Sequence, residues 1–164
     1  MTLTTHAIVG AAVAQLFPQN PVLAFAAGFL SHFAIDSLPH WDYTLLSLRE
    51  NKENPLETDM DINKEFLLDI VRMGTDAFVG ILLSILIFTG IFKIPFWIPV
   101  LGASAGLLPD FLQFVYFKTR LPILTPLQKF HIWIQKGKSL AVRPVVGIGL
   151  QAALIVALII LLVY

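Results

Sequence analysis

Between residues 31 and 42 the chain reads Ser-His-Phe-Ala-Ile-Asp-Ser-Leu-Pro-His-Trp-Asp, directly after the apolar run Val22–Leu30. From His32 to Asp42, eleven residues hold two histidines and two carboxylates. Ionisable side chains at the border of a bilayer-compatible segment are costly, which marks them as functional candidates. His32 and Asp36 stand four apart, so on a helix they point about 40° apart around the axis and share a face. Pro39 ends the helix near Leu38. His40 and Asp42, two apart in an extended exit, again share a face. Two such pairs supply the ligand types of a divalent metal site. The chain has no cysteine, so His, Asp or Glu must hold the ion; zinc is the first expectation and manganese the second.

The elements that must position these groups are apolar. Of the 164 residues 57% are hydrophobic and 13% charged, and the mean hydropathy is +0.79. That exceeds what an ordinary soluble domain of this length needs. The expectation is an all-α integral membrane bundle of about five helices, one domain over residues 1–164. The N-terminus lacks the basic segment of a signal peptide and is read as retained. No nucleic-acid motif is present, and nothing in the sequence specifies an oligomeric state.

In chain order, Thr4 or Thr5 caps a first helix running to about Leu16, with His6 in its opening turn. Residues 17–21, Phe-Pro-Gln-Asn-Pro, turn the chain into a second helix, Val22 to Leu38. This hairpin either spans thinly or re-enters; both arrangements put His6 at the same end as His32, Asp36, His40 and Asp42. Residues 43–65 form an acidic polar loop, expected to be a solvated connector. A third helix from about Phe66 to Phe92 carries Asp69 and Arg72, able to pair at i,i+3, and Asp76, which has no local partner. Lys93, Pro95 and Pro99 turn the chain into a fourth helix ending near Phe117. There Gly102 and Gly106 make a small-xxx-small face and Pro109-Asp110 interrupts the helix. Residues 118–143 are a basic interfacial connector. In it Leu127, Phe130, Trp133 and Ile134 fall near one face of a short amphipathic helix expected against anionic lipid, with His131 in its middle. Residues 145–164 form the final transmembrane helix, where Gln151 is the one strongly polar residue.

Five passes put ten of the eleven basic residues on one face, leaving Lys93 opposite. The positive-inside rule makes that face cytoplasmic, with the N-terminus in and the C-terminus out of an inner membrane. His6, His32, Asp36, Asp76 and Asp110 belong to four different apolar helices, yet all lie toward that face. One shared polar pocket between helix ends accounts for them together.

Thr5-His6 followed by Gly10-Ala11, the 31–42 segment, and Gly106-Leu107-Leu108-Pro109-Asp110 resemble the predicted membrane-bound metal-dependent hydrolases, the YdjM-like group. That resemblance implies His6, His32, Asp36 and Asp110 as metal ligands. The chain departs from the group in Phe111-Leu112-Gln113, where a further Asp or His often follows the Pro-Asp. Locally, His32-Phe33-x-x-Asp36…Pro39-His40 is similar to the zinc motif of zinc-dependent phospholipase C and the S1–P1 nucleases, which hydrolyse phosphoesters. Here the last histidine falls two residues closer, and the N-terminal Trp ligand of those enzymes is missing.

The expected function is therefore a membrane-embedded metal-dependent hydrolase at the cytoplasmic leaflet, acting on a phosphoester or other ester of a lipid or amphiphile. His6, His32, Asp36 and Asp110 would hold one or two ions. His40 and Asp42 would complete the shell, and His131 is a further candidate ligand. Asp76 or Asp42 would act as general base, and Lys129, Lys136, Lys138 and Arg143 would draw anionic headgroups. Two rival classes remain at this point: a proton- or cation-coupled transporter using the same cluster, and a haem-binding subunit with paired histidine ligands.

Overall fold

The long apolar stretches fold as helices whose ends are set by short polar caps. A computed structural model of the chain describes residues 1–140 and 143–163. Ala141 and Val142 of the basic connector, and Tyr164 at the end of the final helix, lie outside the described residues. The elements are α1 Leu3–Ala14, α2 Pro21–Asp36, β1 Leu48–Arg49, β2 Asp59–Met60, α3 Lys64–Ile85, α4 Trp97–Thr119, α5 Thr125–Gln135 and α6 Pro144–Val163. A wider π-type turn, Leu86–Ile91, extends α3. The fold is all-α, with β1 and β2 a two-residue antiparallel pairing.

Three helices are long and apolar enough to cross a membrane: Lys64–Ile91, Trp97–Thr119 and Pro144–Leu162. The first two helices are shorter. With 12 and 16 residues, α1 and α2 measure about 18 and 24 Å, against a hydrocarbon core of about 30 Å.

Several boundaries differ from the sequence expectation. Thr2, not Thr4 or Thr5, caps α1 by accepting from the Thr5 N–H. Thr4 and Thr5 are drawn elsewhere: the Thr4 hydroxyl donates to Asp76 at 2.6 Å and the Thr5 hydroxyl to Gln151 at 2.9 Å. Asn20 caps α2, and that helix ends at Asp36, before the residue preceding Pro39, as the steric restriction on pre-proline residues favours.

The packing centre is α1, where Ala7, Ile8, Val9, Ala11 and Ala12 are all buried. It runs against α4 at backbone contact distance. A Cβ on Gly106 would stand 2.5 Å from the His6 carbonyl oxygen, and one on Gly10 would collide with the Gly102 carbonyl. Small residues here let two backbones meet, and that contact brings the first turn of α1 to the level of Asp110. The expected interruption at Pro109-Asp110 does not occur: α4 is continuous through Pro109. The proline removes one backbone donor, but packing against α1 and α2 on the Gly102/Gly106 side holds the helix together.

The 43–65 segment is also more than a solvated connector. The Asp69 carboxylate accepts from the Ser47 backbone N–H and hydroxyl, both at 2.8 Å; its distance to Arg72, the expected partner, is 4.0 Å. Met60 packs with Tyr116 and Phe117 of α4. Lys118 reaches Asp59 at 2.6 Å and the Met60 carbonyl, while Arg120 donates to the carbonyls of Leu56 and Thr58. The loop is thereby strapped across the end of α4 as a roof.

Candidate metal centre

Beneath that roof the chain's four histidines converge on one carboxylate. His6 comes from the first turn of α1, His32 and Asp36 from the last turns of α2, His40 from the chain leaving it, Asp110 from α4 and His131 from α5. Measured from each ring's Nε2, His6 lies 3.2 Å and His40 3.9 Å from Asp36 Oδ1, while His131 lies 3.3 Å and His32 3.4 Å from Oδ2. His32 and His131 each stand 3.7 Å from Asp110 Oδ1, and their own Nε2 atoms are 3.1 Å apart. His6, His32, Asp36 and His131 are buried; the rings of His6 and His32 stack at 3.9 Å.

The hydrogen bonds on the outer side of the rings fix what the inner side offers. His32 Nδ1 lies 2.9 Å from the Gly106 carbonyl. A carbonyl only accepts, so this nitrogen carries a proton, and in the neutral ring Nε2 presents its lone pair inward. His40 repeats the arrangement through Nδ1 and the Leu38 carbonyl at 2.8 Å. Burial, reinforced by the Met1 ammonium, lowers the pKa of His40, which favours that neutral form. The Gln135 amide, donating toward His131 Nε2 at 3.0 Å and Asp36 Oδ2 at 2.6 Å, treats both as acceptors. His6 is left over: neither ring nitrogen has a hydrogen-bond partner among the described residues although both are buried, because its approach to Asp36 is misaligned for a hydrogen bond.

Such a set of inward-facing groups calls for positive charge, part of which the Met1 ammonium supplies 3.0 Å from Asp36 Oδ1. Metal ligands are arranged in this way, with the outer ring nitrogen donating to a backbone carbonyl. Ligand atoms about 2.0–2.2 Å from a tetrahedral ion lie about 3.3–3.6 Å from one another, and the separations of His32 and His131 from each other, from Asp36 and from Asp110 run from 3.1 to 3.7 Å. The groups His6–His32–Asp110 and His32–Asp36–His131 each bring their ligand atoms within 4.8 Å. The buried His and Asp residues can therefore hold a metal ion.

The other candidates are distributed around this centre. Asp42 lies at its edge, its carboxylate 3.9 Å from the Met1 ammonium, which itself lies 3.0 Å from Asp36. With Tyr43, Asp110 and Gln113 it lines a cavity of about 80 Å³ whose remaining walls include Leu3, Met60 and Phe114. Half of the Asp42 side chain stays accessible; desolvation by the surrounding protein, against the pull of the ammonium, pushes its carboxyl up to about 7.

Asp76 is not brought into the cluster as a free base. Its oxygens accept from the Leu3 and Thr4 N–H groups at 2.7 and 3.1 Å, and from the Thr4 hydroxyl, so it anchors the N-terminus of α1. Lys129, Lys136 and Arg143 are exposed outside the centre, whereas the Lys138 carbonyl accepts the His40 N–H at 3.0 Å and Leu140 N–H returns to the His40 carbonyl at 2.7 Å. The basic connector thus holds the His40 segment in place.

The connector helix keeps part of its expected apolar stripe outward and buries a polar one. α5 buries Gln128 and His131 and turns Phe130 and Trp133 outward, 42% and 68% exposed. The polar stripe Gln128, His131, Gln135 at i, i+3, i+7 carries the positional signal for the centre, and of it the sequence reading singles out His131 alone. Gln151, the strongly polar residue of the final helix, accepts from Thr2 and Thr5 and donates to the Trp41 carbonyl.

These features define an all-α protein with three potential spanning helices and a buried His/Asp centre able to hold a metal. No protein-family model, curated protein or solved structure matches the chain, so the reading of the centre rests on its own donors and distances.

Proposed function

We propose that the chain is a metal-dependent hydrolase embedded in the cytoplasmic membrane, acting on a phosphoester or other ester of a lipid or amphiphile at the inner leaflet. The observation that carries this reading is the inward convergence of four imidazoles and two carboxylates, with no hydrogen-bond partner for His6 among the described residues. The donor set, nitrogen and oxygen without sulfur, suits zinc first and manganese second. A divalent ion held by His32, His131, Asp36 and Asp110, with His6 and His40 beside them, would polarise an ester oxygen and acidify a water.

The chain's own groups supply the rest. Gly106 and Leu38 carbonyls hold the His32 and His40 rings in one tautomer. Gln135 orients Asp36. Asp42, half-accessible and lining the cavity beside Asp110, is positioned to accept a proton from a water entering there. The apolar walls Leu3, Met60 and Phe114 limit how much further water follows.

Depth supports a membrane substrate. Asp110 lies thirteen residues beyond Trp97, about 20 Å along α4, so in a core of about 30 Å the centre sits about 10 Å below the near boundary. A hairpin α1–α2 that re-enters leaves the parity unchanged, with N-terminus in and C-terminus out, because α3, α4 and α6 make three crossings. A cation-relay function would need a polar path onward; beyond His6, α1 presents Ala7, Ile8, Val9, Ala11 and Ala12 to the core.

Detergent-purified protein, loaded with zinc or manganese, should hydrolyse a fluorogenic phosphodiester or carboxylic-ester lipid in mixed micelles. Chelator should abolish turnover, added metal should restore it, and His32→Ala should lack it. Metal-loaded wild type that cleaves neither ester class contradicts the hydrolase reading.

A further inference from the structure

A second, open groove runs along α3 beside the first turn of α1, outside the metal centre. Its volume is about 480 Å³, and its walls include Thr2, Trp41, Tyr43, Arg72, Thr75 and Asp76. Asp76 is spent on the α1 N-terminus, so Arg72 is the charge the groove has to offer. One N–H of Arg72 donates to the Thr44 carbonyl at 3.1 Å. Its other guanidinium N–H groups have no hydrogen-bond partner among the described residues. The same nitrogen makes a long ion pair with Asp69 Oδ1 at 4.0 Å, Oδ2 being the oxygen that accepts from Ser47, which leaves Nε and the second terminal nitrogen to face the groove's ligand. The guanidinium stands over the Tyr43 ring at 6.0 Å.

The level of this groove in a bilayer follows from helix length. From Lys64 to Ile91 the helix has 28 residues, about 42 Å, which exceeds a core of about 30 Å by about eight residues. With the far end at Ile91, the excess protrudes at the near end and places Arg72, eight residues after Lys64, at the core boundary, where phosphates lie. Around it, Val71, Phe78 and Val79 are exposed and apolar, as a lipid-facing flank would be. Trp41 and Tyr43 are the ring types enriched at that interface. Tyr43 also lines the enclosed cavity beside Asp110, so one ring separates the lateral groove from the centre.

We propose that this groove binds the phosphate of a membrane phospholipid, with Arg72 as its anchor and Tyr43 as the partition between the docked lipid and the metal centre. The proposal rests on the membrane-hydrolase reading for its purpose, but lipid retention is independent of turnover and of metal. A guanidinium with unspent parallel N–H groups matches the oxygens of a phosphodiester, and a lysine at the same place would offer only a point charge.

The test is native mass spectrometry of the detergent-purified full chain with two dioleoyl lipids, phosphatidylglycerol and the phosphate-free diacylglycerol. Wild type should retain phosphatidylglycerol and not diacylglycerol. Arg72→Gln should lower that retention by about tenfold or more, and Arg72→Lys by less, while Lys52→Gln on the exposed loop should leave it unchanged. Metal content measured on the same samples reports whether each variant keeps its centre. Equal phosphatidylglycerol retention by wild type and an Arg72→Gln protein, or equal retention of the two lipids by wild type, overturns the proposal. Loss of retention in Arg72→Gln with metal content intact supports it, whether or not any lipid is cleaved.

Discussion

Asp36 and Asp76 are both carboxylates set in apolar helices, yet their surroundings are opposite in kind. Asp76 faces donors: two backbone N–H groups and a hydroxyl at the start of α1. Its charge is neutralised by hydrogen bonds and the positive end of a helix. Asp36 is ringed by the Nε2 atoms of four histidines within 3.2–3.9 Å, besides the Met1 ammonium at 3.0 Å and the Gln135 amide at 2.6 Å. The difference teaches how to separate a carboxylate that caps a helix from one set among groups able to hold a metal. Asp36 is fully buried and Asp76 only partly. What further distinguishes Asp36 is its shell of imidazole nitrogens, which in their neutral forms bring lone pairs that a metal cation can take up.

The largest expected effect breaks this comparison directly. Asp36→Asn should weaken metal affinity by more than about 100-fold, the upper range for losing only an outer-shell partner, as read by competition with a chromophoric chelator. Asp76→Asn should leave affinity near wild type but lower unfolding stability by about 1–3 kcal/mol, since α1 loses part of its N-terminal anchor. If both variants lose metal equally, the distinction between the two carboxylates fails.

Gly106→Ala comes next. Its Cβ would stand 2.5 Å from the His6 carbonyl oxygen, so α1 must move away from α4 at a cost of about 1–3 kcal/mol. Because that movement separates His6 from Asp110, metal affinity should fall along with thermal stability, whereas Gly74→Ala, inside α3 with open space around it, should leave metal affinity unchanged and raise stability by up to about 1 kcal/mol. Gln135→Leu sharpens the same point: it removes the donor that orients Asp36 and should reduce metal affinity by about 10-fold with the ligands untouched.

The smallest effect lies in the roof. Burial works against ionisation of Asp59, but the hydrogen bond from Lys118 and the Met60 N–H outweigh it and hold the carboxyl below the ordinary carboxylate range. A depressed folded-state pKa adds stability above the unfolded value, near about pH 4. That stability is lost as pH falls through the folded value. Lys118→Met should remove this part of the acid-side decline and cost less than about 1 kcal/mol at neutral pH, since the pair is partly solvated. Melting curves across the acid range check it.

Much of this arrangement is legible in the sequence, and the limits are physical. Helix content followed from long apolar runs, and the His32–Asp36 face followed from four-residue spacing. Convergence of His6 and Asp110 followed from counting helix ends. The polar face of α5 was not recognised because an apolar stripe beside it, Leu127, Phe130 and Ile134, fits a lipid-facing helix equally well. Periodicity alone does not say which face turns inward. Nor does spacing reveal that Asp76 meets the α1 N-terminus seventy-two residues away, a pairing made only by the packing of α1 on α3. The sequence marked Pro109 as a break; the unbroken helix there depends on glycine contacts between separate elements.

The central claim, that the four-histidine cluster exists to hold a metal, is tested most directly by X-ray absorption on detergent-purified wild-type protein equilibrated with zinc and freed of excess ion. The account predicts at least one tightly bound zinc per chain, a first shell of nitrogen and oxygen at about 2.0–2.1 Å, and outer-shell scattering from imidazole rings. No retained zinc or manganese, or a first shell without imidazole, would contradict it.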